Sequence, residues 1–491
     1  MKTICATVLA MAAVTSAHAE TTAAERTAAY LKKIAAEDRA EAPGKPPLNS
    51  VIAVSPVALD QARARDAERK AGKAVSPVHG WAVLLKDNID STELPTTAGS
   101  LALKDNMTGR DAPLVANLRK AGVVILGKAN LSEWANFRST SSLSGWSAVG
   151  GLTRNARDRL RNACGSSAGS GAAVAAGFAD AAVGTETNGS IICPAAVEGL
   201  VGFKPTVGLV SRTHVVPISS SQDTAGPMTR TVADAAALLD AMAGSDPADP
   251  ATAEADAKKT DFAATLDKAS LKGARIGVAR YAAGFHPETD AVFEKALTTL
   301  KAQGAILIDV KDFPRRREIS PLENRVLCVE FKAGVAAYLA STDPAKVKPR
   351  NLADLIAFNK AHAKEEMPLF AQELFEICDR AKGLDDPDYL KAKADAHRIA
   401  GPEGIDALLK QNDVAVLVAP TMAPAYLIDP VLRGGYVGGG IGGPPAVAGY
   451  PHLTVPMGEI KGLPVGLSIV GTAWDDARVL SLGYAFEQAR K

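Results

Sequence analysis

Residues Asn162 to Thr206 read NACGSSAGSGAAVAAGFADAAVGTETNGSIICPAAVEGLVGFKPT. Two Gly/Ser clusters stand out, Gly165-Ser166-Ser167 and Asn188-Gly189-Ser190, with 24 residues from Ser166 to Ser190. Between them, Ala172 to Gly177 predicts a small-residue helix and Ala181 to Thr185 a strand; Leu200 to Phe203 predicts a further buried strand. Glycine beside serine permits the backbone angles that turn several N–H groups into one concavity. Such a concavity binds an anion, either a phosphate or the oxyanion of an acyl-transfer transition state. A phosphate loop needs the pattern GxxxxGK[ST], which is absent.

Outward from this stretch the chain keeps alternating. Trp81 to Leu85 is a continuous apolar run that leads straight into Lys86-Asp87-Asn88. Leu48 to Val54, Val123 to Leu126, Val414 to Ala419 and Leu467 to Val470 also predict strands. Thr22 to Arg39, Ala58 to Ala71 and Asp475 to Arg490 predict helices, and Leu352 to Leu374 a long helical pattern broken near Pro368. Strands and helices alternate at both ends around a more charged, helix-rich middle, about residues 245–410, which argues one large α/β domain. The segment 20–74 reads as a helical piece packed on that core. The stretch 434–443 holds seven glycines in ten residues and is either a flexible linker or a mobile loop near a site.

Of the 491 residues 47% are hydrophobic and 22% charged, which is globular composition. Lys+Arg 55 against Asp+Glu 54 leaves a net charge of +1, which offers no reason to expect a nucleic-acid or polybasic membrane partner. At the N-terminus, Lys2, the apolar run Ile4 to Val14 and the ending Ala17-His18-Ala19 predict a secretory signal peptide, residues 1–19, cut after Ala19. The run is too short for the roughly 20 residues of a membrane span. The chain is thus expected to be exported, periplasmic or secreted. Cys5 would leave with the leader; Cys164, Cys193, Cys328 and Cys378 then allow three pairings, among which spacing does not choose. No CxxC or HExxH spacing occurs, so no metal and no cofactor is expected.

A serine acyl hydrolase needs a base and oxyanion donors. No histidine lies in 162–206, but Lys86 closes a buried strand, where lysine is rare unless paired or working. A Ser–Lys arrangement needs no histidine. With these residues in hand, Gly165 to Thr206 resembles the signature of the amidase signature family, GGSSGGS…GTDTGGSIR…GLKPT. The stretches VLLKDNID, GLVSRTHVVPISSSQDTAGPMTRTVADAA and GLPVGLSIVGTAWDDA extend the likeness from about residue 75 to the C-terminus. Residues 75–491 are therefore expected to form the signature domain, a central mixed β-sheet flanked by many helices.

The resemblance implies Ser190 as nucleophile, Ser166 as the bridging serine in a cis peptide, and Lys86 as base. It also implies backbone N–H groups of Thr187, Asn188, Gly189 and Ser190 as oxyanion donors. Three positions depart from the pattern: Asn188 for Gly, Glu186 for Asp, and Ile192 for Arg, which takes a partner from the acid at 186. Within the family, SEWANFRS (Ser132 to Ser139), SGWS (Ser144 to Ser147), the cysteine before GSS and GTETNGSI are similar to the bacterial peptide amidases. That likeness implies hydrolysis of peptide C-terminal amides to acid and ammonia. Aryl or fatty acyl amides are an alternative substrate class, and a non-catalytic amide-binding protein an alternative of another kind. The family's tRNA-linked amidotransferases fit poorly with an export signal. The expected partner is a small-molecule or peptide amide. By the same likeness Trp134, Phe137, Ser142 and Trp146 line the acyl pocket, although each aromatic could equally be core. Oligomeric state leaves no trace in the sequence.

Overall fold

In a computed structural model of the chain, which describes residues 21–42, 45–431 and 435–490, eleven strands form one sheet. The expected leader, residues 1–19, lies outside the described residues. In chain order the strands are β1 (Val51–Val54), β2 (Ala82–Lys86), β3 (Val124–Ala129), β4 (Trp146–Ser147), β5 (Gly151–Leu152), β6 (Ala181–Glu186) and β7 (Val201–Lys204). There follow β8 (Thr224–Thr229), β9 (Arg275–Ala279), β10 (Ile306–Val310), β11 (Val416–Pro420), β12 (His452–Ile460) and β13 (Leu463–Val470). The sheet order is β1-β3-β2-β6-β8-β7-β12-β13-β11-β9-β10, and β4 and β5 pair separately. β2 runs parallel to β3 and β6, while β6/β8, β7/β8, β7/β12 and β12/β13 are antiparallel, so the sheet is mixed.

Strand β2 shows why the sheet is covered on both sides. All five of its residues are buried, and successive side chains point to opposite faces. Val83 and Leu85 join a core with Leu118, Leu239, Phe293 and Phe486. Ala82 and Leu84 join another with Ile34, Ala172 and Phe178. Burying a leucine such as Leu84 contributes roughly 1.5–3 kcal/mol. Lys86 follows in the Ala82/Leu84 register, under the helix Ala168–Ala175. That helix, AGSGAAVA, is almost wholly small residues because the backbone beneath is close: a Cβ on Gly169 would meet Ser50 O at 2.3 Å and Asn130 O at 2.4 Å.

The segment 20–74 carries helices Ala23–Glu37 and Ala58–Lys70 and, within the strand expected at Leu48 to Val54, supplies β1, an edge strand antiparallel to β3. The middle region supplies β9 and β10 at the opposite edge. β9 opens on Arg275 and is interrupted by Gly277, and in β10 Asp309 breaks the pattern and only the last residue is buried, so neither presents the continuous apolar run that marks β2. The cysteines pair as Cys164–Cys193 and Cys328–Cys378. Among the described residues no helix is long and apolar enough to cross a membrane.

Candidate active site

Parallel pairing of β2 with β6 brings their C-terminal ends side by side, and there Lys86 meets Thr185. The Lys86 Nζ lies 2.8 Å from Ser166 Oγ, 2.8 Å from Thr185 Oγ1 and 3.0 Å from Thr185 O. A neutral amine suits this set: two N–H groups donate to Thr185 and the lone pair accepts the Ser166 hydroxyl. Burial favours that form, lowering the pKa of Lys86 to about 7; the carboxylates of Asp223 and Glu186 pull the other way but do not prevail.

Ser166 sits where the chain leaves Cys164, at φ +55°, through a cis Gly165–Ser166 peptide into helix Ala168–Ala175. Ser167 then stitches this loop to β6: its hydroxyl donates to Thr185 O at 3.1 Å and accepts Thr185 N–H at 3.2 Å. Its own N–H donates to Ser190 O at 3.1 Å. The Cys164–Cys193 disulfide ties the same loop to the helix Ile192–Glu198 that follows Ser190. Exposure falls from Ser190 (8%) through Ser166 (1%) to Lys86 (0%), and the chain neighbours Gly189 and Gly165 line a cavity. Lys86 and Ser166 are joined directly. The Ser190 hydroxyl, by contrast, has no hydrogen bond to the described residues, as is common where a contact tightens only with substrate.

The turn Thr187-Asn188-Gly189-Ser190 is left open toward the cavity. None of its four N–H groups has an acceptor among the described residues, whereas the next three are taken. Ile191 and Ile192 donate to Glu186 Oε2 at 2.7 and 3.0 Å, and Cys193 to Gly189 O at 2.8 Å. Glu186 thus holds the turn through backbone N–H groups rather than through an arginine at 192. Gly189 takes φ +83°, which a side chain would resist. Around the turn, Thr187 Oγ1 donates to Asp223 Oδ1 at 2.5 Å, and Asn188 Nδ2 to Glu323 Oε1 at 2.8 Å. Gln222 Nε2 donates to the same Glu323 oxygen at 3.0 Å. Glu323 has amide donors but no cation within salt-bridge distance among the described residues, and burial pushes its pKa up.

The cavity above Gly165, Asn188 and Gly189 has a volume of about 620 Å³. Its walls come from Asn136, Ser139, Thr140, Ser142 and Ser144 on one side and Ile192, Thr421, Met422, Tyr426 and His452 on another. Of the four residues expected to line an acyl pocket, only Ser142 does, its hydroxyl donating to Asn136 Oδ1 at 2.7 Å. Trp134, Phe137 and Trp146 are packed elsewhere: Trp134 against Phe375, Phe137 against Phe331, and Trp146 against Phe370. Three successive positive φ values, at Trp134, Ala135 and Asn136, turn the chain so that Trp134 is core while Asn136 faces the cavity. The glycine-rich stretch is cavity wall: Gly439, Gly440, Gly442 and Gly443 line it, and a Cβ on Gly440 would strike Thr421 O at 2.1 Å. Asn136, Ser139 and Ser144 lie within the SEWANFRS and SGWS stretches, but Glu323, Tyr426 and His452 carry no motif signal. Among the described residues no three His, Cys, Asp or Glu side chains converge to hold a metal.

Residues 25–480 match the model of the Amidase family. The structure of native peptide amidase from Stenotrophomonas maltophilia is 49% identical, with a TM-score of 0.90 over 96% of this chain and 94% of that one. An amidase family protein from Bacillus anthracis is 34% identical, with a TM-score of 0.85 over 96% and 88% of the two chains. A glutamyl-tRNA(Gln) amidotransferase chain from Moorella thermoacetica is 35% identical over 442 residues, 88% of this chain and 87% of the relative.

Proposed function

The chain belongs to the amidase family, whose members act on amide C–N bonds, and on that premise we propose that it hydrolyses the C-terminal amides of peptides through Ser190, Ser166 and Lys86. The observation that carries the acyl-transfer reading is the open turn. Four successive N–H groups, Thr187 to Ser190, have no acceptor among the described residues, next to a cavity lined by Asn188 and Gly189, and burial lowers the pKa of the nearby Lys86 to about 7. In this reading Ser190 Oγ attacks the amide carbonyl and passes its proton to Ser166, which passes its own to Lys86. The carbonyl oxygen takes up negative charge against the turn. The proton returns through Ser166 to the leaving nitrogen, ammonia departs, and water releases the acid by the same route.

The cavity lining supports a peptide rather than an alkyl or aryl acyl group. Asn136, Ser139, Thr140, Ser142, Ser144 and Asn188 present amides and hydroxyls, which match the N–H and C=O groups of a peptide. Ammonia release from an N-acetyl dipeptide amide, beside an anilide and a long-chain fatty amide, tests the assignment. Preference for the peptide amide is expected; turnover of only the anilide or fatty amide would move the substrate class and leave the relay intact. We also propose export of the chain, for which the leader pattern of residues 1–19 and two disulfides are support. A mature N-terminus at Glu20 in an extracytoplasmic fraction is the expected result, and an intact Met1 terminus the contrary one.

Glu323 acts here as a positioning residue, since it reaches the turn only through Asn188 and Gln222. Glu323→Ala is expected to lower kcat by about tenfold to a hundredfold with KM little changed. Glu323→Gln, which keeps an acceptor, should recover most of the loss. A change confined to KM would mean that Glu323 contacts substrate instead.

A further inference from the structure

Arg316 is the one cationic side chain among the described residues on the wall of the cavity, and no carboxylate among them pairs with it. Its neighbour Arg315 shows the contrast, bound to Glu318 at 2.8 Å and Glu403 at 3.0 Å. Arg316 is turned inward instead, at the start of the long helix Arg316–Ala340. Its Nη1 donates to Tyr281 O at 3.1 Å, its Nη2 donates to Gly440 O at 2.9 Å, and the Tyr281 ring lies 5.4 Å from the guanidinium. These contacts fix the plane of the group but engage only two of its five N–H donors. No contact supplies a countercharge. The remaining cavity wall is hydroxyl, amide, glycine, sulfur and apolar, together with His452, which burial keeps neutral. The described cavity wall therefore carries a single fixed positive charge, held by backbone, with no internal anion.

We propose that Arg316 selects substrates whose acyl part carries a carboxylate, so that acidic peptide amides are the preferred class. The inference rests on the peptide amide reading of the same cavity. A carboxylate beside a fixed guanidinium makes charge-assisted, paired hydrogen bonds, whereas a neutral amide makes weaker ones and an ammonium is repelled. Arg316 belongs to the helix and the glycine-rich wall, not to the Ser190 turn. Its contribution is binding that persists from ground state to transition state, and it falls on KM more than on kcat.

The test compares kcat/KM for ammonia release from N-acetyl dipeptide amides carrying Glu, Gln or Lys at either position, with wild type, Arg316→Gln and Arg316→Lys. The expected result is a Glu-over-Gln preference of about 10–100-fold at one position, with Lys worst. That preference should weaken with added salt, collapse toward unity in Arg316→Gln, and survive in part in Arg316→Lys. Equal use of Glu and Gln substrates by wild type would overturn the proposal. So would a preference that persists in Arg316→Gln, or a loss in that variant that is the same for every substrate, which is the mark of a purely structural latch on Gly440. Hydrolysis of neutral peptide amides without acidic preference sinks this inference and leaves the proposed function standing. Absence of ammonia from every peptide amide sinks both.

Discussion

Ser190→Ala is expected to lower kcat for amide hydrolysis by a factor on the order of 10⁶, the loss seen when the nucleophile of a serine relay is removed. The oxyanion turn and the cavity would remain, so a residual rate above water is expected rather than zero. The fold should tolerate the change. Ser190 Oγ has no hydrogen-bond partner among the described residues, and its backbone oxygen still accepts from Ser167 N–H. Removing the hydroxyl therefore orphans nothing, and unfolding stability should move by less than about 1 kcal/mol. Steady-state ammonia release and a denaturant titration on the same preparation separate the two effects. A variant that retains more than a few per cent of wild-type turnover would remove Ser190 from the chemistry.

Lys86→Met is expected to cost about 10²–10⁴ in kcat, the range for a positioned general base. Its structural cost includes the loss of the hydrogen bond to the buried Ser166 hydroxyl, but the two Thr185 groups keep other partners. Thr185 Oγ1 still accepts from Asn88 Nδ2 at 3.0 Å, and Thr185 O from Ser167 Oγ at 3.1 Å. The pH profile gives the sharper readout. Lys86 must be neutral to accept a proton, and its pKa in the folded chain is lowered to about 7. Wild-type kcat/KM should rise about tenfold per pH unit on the acid side and level off above about pH 7. In Lys86→Met that limb should vanish. The stability linkage has its own sign: between about pH 7 and the ordinary lysine value near 10.4, the unfolded chain holds a proton that the folded chain does not. Stability contributed by this group therefore rises with pH across that window, and Lys86→Met should flatten the slope.

The legible parts of the sequence were those where local pattern and fold agree. β2, β6 and β7 are uninterrupted apolar runs because both their faces are covered, and Lys86 stands out at the end of one of them. β8 and β12 were hidden by prolines. Pro227 lies inside β8, and Pro456 sits at a register shift in β12, contrary to what the apolar pattern of a central strand leads one to expect. The Gly/Ser clusters pointed to the cavity floor because positive φ and open N–H groups demand those residues locally. The walls did not announce themselves. Arg316 and Glu323 reach the site from a helix more than 120 residues beyond Ser190, and nothing in a charged helical pattern distinguishes an inward arginine from an exposed one. The aromatic residues misled for an energetic reason: Trp134 and Trp146 hold so much apolar area that the core claims them, while smaller polar neighbours are left to face the cavity.

The most direct test of the relay is to trap its covalent intermediate. The chain would be mixed with an N-acetyl dipeptide nitrophenyl ester, quenched in acid within the burst, digested and mapped by mass spectrometry. The relay predicts an added acyl group on the peptide containing Ser190, absent from Ser190→Ala and strongly reduced in Lys86→Met. An acyl group on Ser166, or rapid turnover with no acyl-enzyme at any serine, would contradict it.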